Sequence, residues 1–181
     1  MHREALIDHL RTHSLRTGGE FRLRSGAISD WYLDARITTY DGAGGLLVAR
    51  AVLEALDPGV TAVGGMTMGA DPIAVAVAVV AAVEGRSLRA FSVRKAVKDH
   101  GVGGRLVGPL VPGDRAAVVE DTTTTGGALI EAIEVVAAAG VEVIQAMALV
   151  DRSGGVVGCL CSERRIAYRA LVLPEDLGVR T

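Results

Sequence analysis

Between Arg115 and Gly140 the chain spells one strand, one turn and one helix in succession. Arg115 to Val119 is an apolar strand that runs into two acidic residues, Glu120 and Asp121. Thr122, Thr123, Thr124, Thr125, Gly126 and Gly127 follow, and Ala128 opens an Ala-rich helix that ends at Ala139, before Gly140. A strand that passes through a small-residue turn into a helix is a unit of α/β sheets. Such a turn leaves backbone N–H groups free at a helix N-terminus, where they can cradle a phosphate. Threonine hydroxyls add donors. Two carboxylates ahead of the cradle would repel a bare phosphate. They suit a ligand that presents hydroxyls or a divalent metal beside its phosphate, as a sugar phosphate does. The plain alternative is a strand-to-helix turn with threonine caps.

The rest of the chain repeats the alternation. Helices are predicted over His2 to Thr12, Leu46 to Leu56 and Ile73 to Val83, the last with Asp71 as N-cap and Pro72 at its first position. Strands are predicted over Thr61 to Val63, Leu88 to Val93, Val141 to Val150 and Ala167 to Leu173, with short strands about a glycine turn between Phe21 and Asp34. This order implies a parallel central sheet with helices on both faces. Ligands of such sheets sit beyond the strand C-termini. The acidic-threonine turn, the Gly64-Gly65 turn and a basic stretch after Val93 all follow strands, so they can meet in one crevice.

A chain of 181 residues fits a single domain over residues 1–181 with one substantial core. Apolar residues make up 50% and aromatics 3%, so that core is built from Val, Ala and Leu. The net charge of −2 gives no basic field for nucleic acid. The longest apolar run, Ile73 to Val83, is too short to span a bilayer, and Met1 to Arg16 lacks the apolar centre of a signal peptide. Cys159 and Cys161 stand two apart, which strains a disulfide and supplies too few thiols for zinc. Buried or semi-buried free thiols in a reducing cytoplasm are expected. His2, His9 and His13 read as solvated residues of a polar helix, and Arg164-Arg165 as a surface charge pair.

Lysine is confined to one place. The two lysines, Lys95 and Lys98, stand three apart among seventeen arginines. They fall in Ser92-Val93-Arg94-Lys95-Ala96-Val97-Lys98-Asp99-His100-Gly101, with glycines again at 103, 104 and 108. Lysine is a compact, flexible point charge suited to a polyphosphate, and the glycines suggest a lid loop. A solvated surface loop is the plain alternative.

Glu120-Asp121 followed by two residues and Thr124-Thr125-Gly126 resembles the phosphoribosyl-pyrophosphate motif of the type I phosphoribosyltransferases. The Arg94-Lys95-x-x-Lys98-Asp99-His100-Gly101 run resembles the catalytic loop of the orotate phosphoribosyltransferase family. Phe21-x-Leu23-x-Ser25-Gly26, followed by Ser29, Asp30, Trp31, Tyr32 and Asp34, is similar to that family's N-terminal signature. Gly64 to Pro72 is similar to its pyrophosphate loop, and Val150-Asp151-Arg152 to its orotate-binding segment. Together these motifs run from Phe21 to Arg152.

The resemblance implies the type I phosphoribosyltransferase fold with a small N-terminal hood. It implies transfer of the phosphoribosyl group of 5-phosphoribosyl 1-pyrophosphate to orotate, giving orotidine 5′-monophosphate and pyrophosphate in pyrimidine biosynthesis. Thr122, Thr123, Thr124, Thr125, Gly126, Gly127 and Ala128 would then hold the 5′-phosphate. Glu120 and Asp121 would take the ribose hydroxyls, with Asp121 steadying the developing cation. Arg24, Arg94, Lys95, Lys98 and His100 would contact substrate, with Lys98 and His100 assisting the leaving pyrophosphate, and Arg152 would grip the orotate carboxylate. Mg²⁺ is implied as cofactor, held by substrate oxygens and water rather than by a protein cage. A cytoplasmic homodimer that shares its lid loop between subunits is implied too. The chain departs from the pattern of many relatives at Arg24 and at Gly69, both lysine positions there, and Glu120 replaces an aspartate. A phosphoribosyltransferase for another base and a non-catalytic sensor of phosphoribosyl pyrophosphate are the alternatives. Arg152 and the lid-loop motif speak against the first, and Lys98 with His100 against the second.

Overall fold

The computed structural model describes residues 2–22, 26, 28–98 and 104–180, without the side chains of residues 97 and 98. Among the described residues eight strands form two sheets. β1 (Leu15–Arg22) and β2 (Ile28–Leu33) make an antiparallel pair, the small hood. The main sheet contains β3 (Ala62–Met66), β4 (Arg89–Lys98), β5 (Gly104–Val107), β6 (Arg115–Thr123), β7 (Glu142–Asp151) and β8 (Ala167–Val172). Its order is β5-β4-β3-β6-β7-β8. Every neighbouring pair is parallel except β4 with β5.

The expected parallel sheet is present, and β5 adds one antiparallel strand at its edge. The basic, glycine-rich sequence around β5 suggests a loop. In the structure Val93 pairs with Leu106 and Lys98 with Gly104, so the described parts of the supposed lid are the arms of an antiparallel pair at the sheet edge. Arg94-Lys95 and Ala96-Val97 break the apolar-polar alternation, so the segment holds as a strand because its partner supplies the ladder, with a register shift between Val93 and Lys98. Asp99, His100, Gly101 and Gly103 lie outside the described residues.

Helices cover both faces, as the alternation required. α1 (His2–His9), α2 (Arg36–Thr39), α3 (Gly42–Ala55) and α4 (Ala70–Val83) precede the middle of the chain; α5 (Gly127–Ala138) and α6 (Val156–Glu163) follow β6 and β7. One apolar cluster joins Leu6, Val48, Val52, Ile73 and Val77 of the first helices to Val63, Ala117, Val119 and Leu149 of the sheet. A second joins Leu129, Ile133, Val136 and Val157 to Phe91, Val93, Ala116 and Val118. β6 shows the cause in four residues: Ala116 and Val118 point to one cluster, Ala117 and Val119 to the other. A strand buried on both faces must be apolar throughout.

Several expected boundaries shift. α4 begins at Ala70 with Gly69 as N-cap, so Asp71 and Pro72 sit inside its first turn, where proline still loses no helical hydrogen bond. Asp71 instead accepts the Thr67 hydroxyl at 2.6 Å. The first helix passes into a π-helical turn over Leu10–Ser14. His9 is not solvated: it lies half-buried, 3.2 Å from the Thr38 hydroxyl and 3.3 Å from Asp41. His2 likewise meets Glu54. α6 was not foreseen; on it Cys161 is fully buried while Cys159 is exposed, as residues two apart on a helix must diverge.

Candidate active site

β6 carries its acidic pair within the strand, because pairing with β7 continues to Thr123 opposite Asp151. The turn proper is Thr124-Thr125-Gly126. Gly126 takes a left-handed conformation, φ 78°, as N-cap of α5. A Cβ there would stand 2.9 Å from a methyl of Val157, so both conformation and space call for glycine. The backbone from Thr122 to Leu129 wraps a hollow of about 80 Å³ at the α5 N-terminus, the size and polarity that suit one phosphate. All seven residues from Thr122 to Ala128 line it. Thr123 is buried, and its hydroxyl donates to Asp151 at 2.9 Å, so it lines the hollow by backbone while its side chain ties β6 to β7.

A larger cleft of about 430 Å³ opens beside the hollow and shares Glu120 and Ala128 with it. Arg36, Lys95, Asp121 and the loop Met66-Thr67-Met68-Gly69 complete its lining. The loop comes close to the acidic pair. A Cβ on Gly69 would lie 2.7 Å from Asp121 Oδ1 and 3.1 Å from Glu120 Oε1. No side chain fits at Gly69 without moving a carboxylate, which gives a steric reason for the departure seen in the sequence.

Burial, reinforced by the neighbouring Asp121 and opposed by Lys95, pushes the Glu120 carboxyl up to about 8. Its Oε2 is buried without a hydrogen-bond partner. Asp121 is also raised by burial, although the Thr122 N–H donates to its Oδ1 at 2.7 Å and Arg36 draws it back. Two carboxylates desolvated side by side form a site that is short of positive charge. Among the described residues no three His, Cys, Asp or Glu side chains gather to cage a metal ion. The orphaned Glu120 oxygen and the adjacent Asp121 nevertheless fit a divalent cation that brings its other oxygen ligands with it.

Arg152 follows β7, its N–H bonded to Thr123 O at 2.8 Å, which holds it next to the hollow. Its guanidinium lies 3.9 Å over the Trp31 ring of the hood. Burial lowers its pKa. Among the described residues no carboxylate pairs with it. Trp31 is itself buried and donates from Nε1 to Arg180 O at 2.7 Å, so it is a platform for Arg152 and not a free wall of the site. Tyr32 stays exposed, stacked on Phe21 at 6.0 Å.

The structure thus brings together Lys95, Glu120, Asp121 and the whole turn from Thr122 to Ala128, with Arg152 alongside. Arg94 precedes Lys95 on β4 and is not among the residues that line the cleft. Lys98 ends β4, its side chain outside the described residues, and Arg24 and His100 also lie outside them. Sequence reasoning passed over Arg36. Asp34-Ala35-Arg36 places an acid and a base two apart straight after the hood, a spacing that marks the pair but not its place in the cleft. Asp34 holds Arg36 through Nε at 2.8 Å and Nη2 at 3.0 Å.

A phosphate hollow at a helix N-terminus, joined to a cleft with an acidic pair and cations, defines a sugar-phosphate-binding α/β protein. Comparison with known proteins makes this more specific. No protein-family model matches the chain. The orotate phosphoribosyltransferase of Streptomyces avermitilis is 41% identical over 178 residues, which cover 98% of this chain and 97% of that protein. The orotate phosphoribosyltransferase of Mycobacterium tuberculosis, solved with Fe(III) dicitrate, superposes with a TM-score of 0.85 at 35% identity, covering 99% of this chain and all of that one. The same Mycobacterium tuberculosis enzyme solved with 5-phospho-α-D-ribosyl 1-diphosphate gives 0.81 at 32% identity, with 99% and 100% covered. The chain belongs to the orotate phosphoribosyltransferase family and has the type I phosphoribosyltransferase fold.

Proposed function

We propose that the chain transfers the phosphoribosyl group of phosphoribosyl pyrophosphate to orotate at this crevice, giving orotidine 5′-monophosphate and pyrophosphate. The observation that carries the reading is the continuity of the phosphate hollow with the acidic cleft through Glu120 and Ala128. A 5′-phosphate in the hollow sets the ribose beside Glu120 and Asp121, where the carboxylates accept its 2′- and 3′-hydroxyls. The pyrophosphate then extends toward the Met66 to Gly69 loop and Lys95.

The reaction breaks the bond from the ribose anomeric carbon to pyrophosphate and forms one to an orotate ring nitrogen. Positive charge develops on the ribose and negative charge on the leaving group. The work of the chain is to position and to stabilise charge. Asp121 steadies the ribose cation, while Lys95 and, from the lid, Lys98 and His100 meet the pyrophosphate. Arg94 adds charge to that segment, and Arg24 contacts substrate. Arg152, held over Trp31, offers its fork to the orotate carboxylate. Glu120 and Asp121 would help to hold Mg²⁺ together with substrate oxygens, and the ion would supply charge neutralisation for the leaving group.

The reading extends to one domain over residues 1–181, a cytoplasmic setting and a homodimer whose lids cross between subunits. No described helix is long and apolar enough to cross a membrane. Val75, Val79 and Val83 form an exposed apolar stripe along α4 that pairing of two copies could cover. The test is product analysis after mixing protein, orotate, phosphoribosyl pyrophosphate and Mg²⁺. Orotidine 5′-monophosphate and pyrophosphate are expected in equal amounts from wild type, with about a hundredfold lower kcat in Lys98→Ala. Binding of phosphoribosyl pyrophosphate without turnover would move the protein to the sensor class.

A further inference from the structure

We propose that Arg36 is a pyrophosphate-binding residue that works from the hood side of the cleft, fixed there by Asp34. The inference rests on the phosphoribosyl-transfer reading and adds to it a residue that no sequence motif marks. A pyrophosphate group with its metal still carries net negative charge, and the cleft already contains two carboxylates. Among the described residues that line the cleft, the cations are Arg36 and Lys95. The loop Met66-Thr67-Met68-Gly69 supplies none, and a side chain at Gly69 would have to displace the Asp121 carboxylate. The positive charge on the side of the cleft facing the acidic pair must come from elsewhere in the chain.

Arg36 meets the need in three ways. It lines the same cleft as Lys95 and Asp121. Its charge is felt at Asp121, whose pKa it draws down against burial. Its geometry is fixed, since Asp34 takes Nε and Nη2 in a bidentate pair and also accepts the Arg36 backbone N–H at 3.2 Å. The Asp34 pair leaves Nη1 and a further Nη2 proton to donate. A guanidinium clamped on one edge donates from the other with little further loss of side-chain freedom. α2 makes this possible by turning the chain shortly after β2, so a cation is delivered to the cleft straight after the hood.

Calorimetric titration of the full chain with Mg²⁺-pyrophosphate, and separately with ribose 5-phosphate, tests the assignment. Arg36→Gln should weaken pyrophosphate binding at least tenfold and leave ribose 5-phosphate within twofold of wild type. Asp34→Asn should give a smaller loss of the same kind, and Arg36→Lys should recover part of the affinity. Unchanged pyrophosphate affinity in Arg36→Gln overturns the inference. Equal loss of both ligands in Arg36→Gln and Arg36→Lys also overturns it, because that pattern marks a scaffold residue. If wild type consumes no orotate yet its pyrophosphate binding depends on Arg36, the base assignment fails and the role of Arg36 stands.

Discussion

Arg152 rests on Trp31, its guanidinium carbon 3.9 Å from the indole centroid. Residues more than a hundred positions apart thus form one unit, with the hood providing the floor and β7 the cation. A half-buried cation over an indole is held by about 1 kcal/mol. Trp31→Leu should therefore weaken orotate binding about fivefold while the Kd of phosphoribosyl pyrophosphate stays within a factor of about two. Trp31→Phe should retain most of the orotate affinity. Equal weakening of both substrates by Trp31→Leu would show that the indole serves hood folding alone.

Glu120 gives the ligand-free protein an unusual pH dependence. Its pKa rises from the ordinary 4.5 to about 8 on folding, so the folded state favours its proton. That contribution to stability is complete below pH 4.5 and is lost as pH rises through about 8. Melting temperature should fall more steeply between pH 5 and 8 in wild type than in Glu120→Gln, measured by calorimetry without ligands. Binding of Mg²⁺ and phosphoribosyl pyrophosphate at pH 7 should release protons, seen as a buffer-dependent heat that Glu120→Gln reduces. Parallel melting profiles would refute the shift.

Gly69 sets the distance between the loop and the acidic pair. In Gly69→Ala the new methyl would stand 2.7 Å from Asp121 Oδ1, so the loop or the carboxylate must shift. A displacement approaching an ångström in a positioning site costs about a hundredfold. kcat/KM for phosphoribosyl pyrophosphate should fall by about that factor, with the melting temperature nearly unchanged. Near-wild-type kinetics would show that the loop is pliant and the contact unimportant.

Away from the site, Asp114 joins three segments. It accepts from the Val111 N–H at 2.8 Å, the Thr61 hydroxyl at 2.8 Å and Arg89 at 2.7 Å. Burial opposes its charge, but these donors outweigh burial and hold its pKa below 3.8. Asp114→Ala should destabilise by about 3 kcal/mol at pH 7, measured by urea unfolding. The deficit should shrink as pH falls through the depressed pKa, because wild type then loses the same charge. A deficit independent of pH would assign the loss to packing.

The phosphate hollow was legible in the sequence because it is local. Strand, turn and helix N-terminus are contiguous, and Gly126 marks the left-handed turn by its identity. The alternating apolar faces of β6 were legible for the same reason. Arg36 was missed because its part in the cleft depends on how the hood packs against the sheet, which no spacing reports. The Trp31–Arg152 contact was missed likewise, although both residues had been singled out separately. β5 and α6 are short elements whose glycines read as loop, and the sheet edge and the packing of Val157 and Cys161 override that composition. Thr123 looked like one more hydroxyl for phosphate, but its partner Asp151 is set by β6–β7 register, which becomes visible only in the fold.

The most direct measurement follows the loss of orotate absorbance with Mg²⁺ and phosphoribosyl pyrophosphate, in parallel with uracil, in wild type and Arg152→Leu. Wild type should consume orotate and release one pyrophosphate per turnover while leaving uracil untouched, and Arg152→Leu should lose at least about a hundredfold in kcat/KM for orotate. Consumption of uracil at a comparable rate, or orotate turnover that ignores the loss of Arg152, would contradict the carboxylate-gripping site.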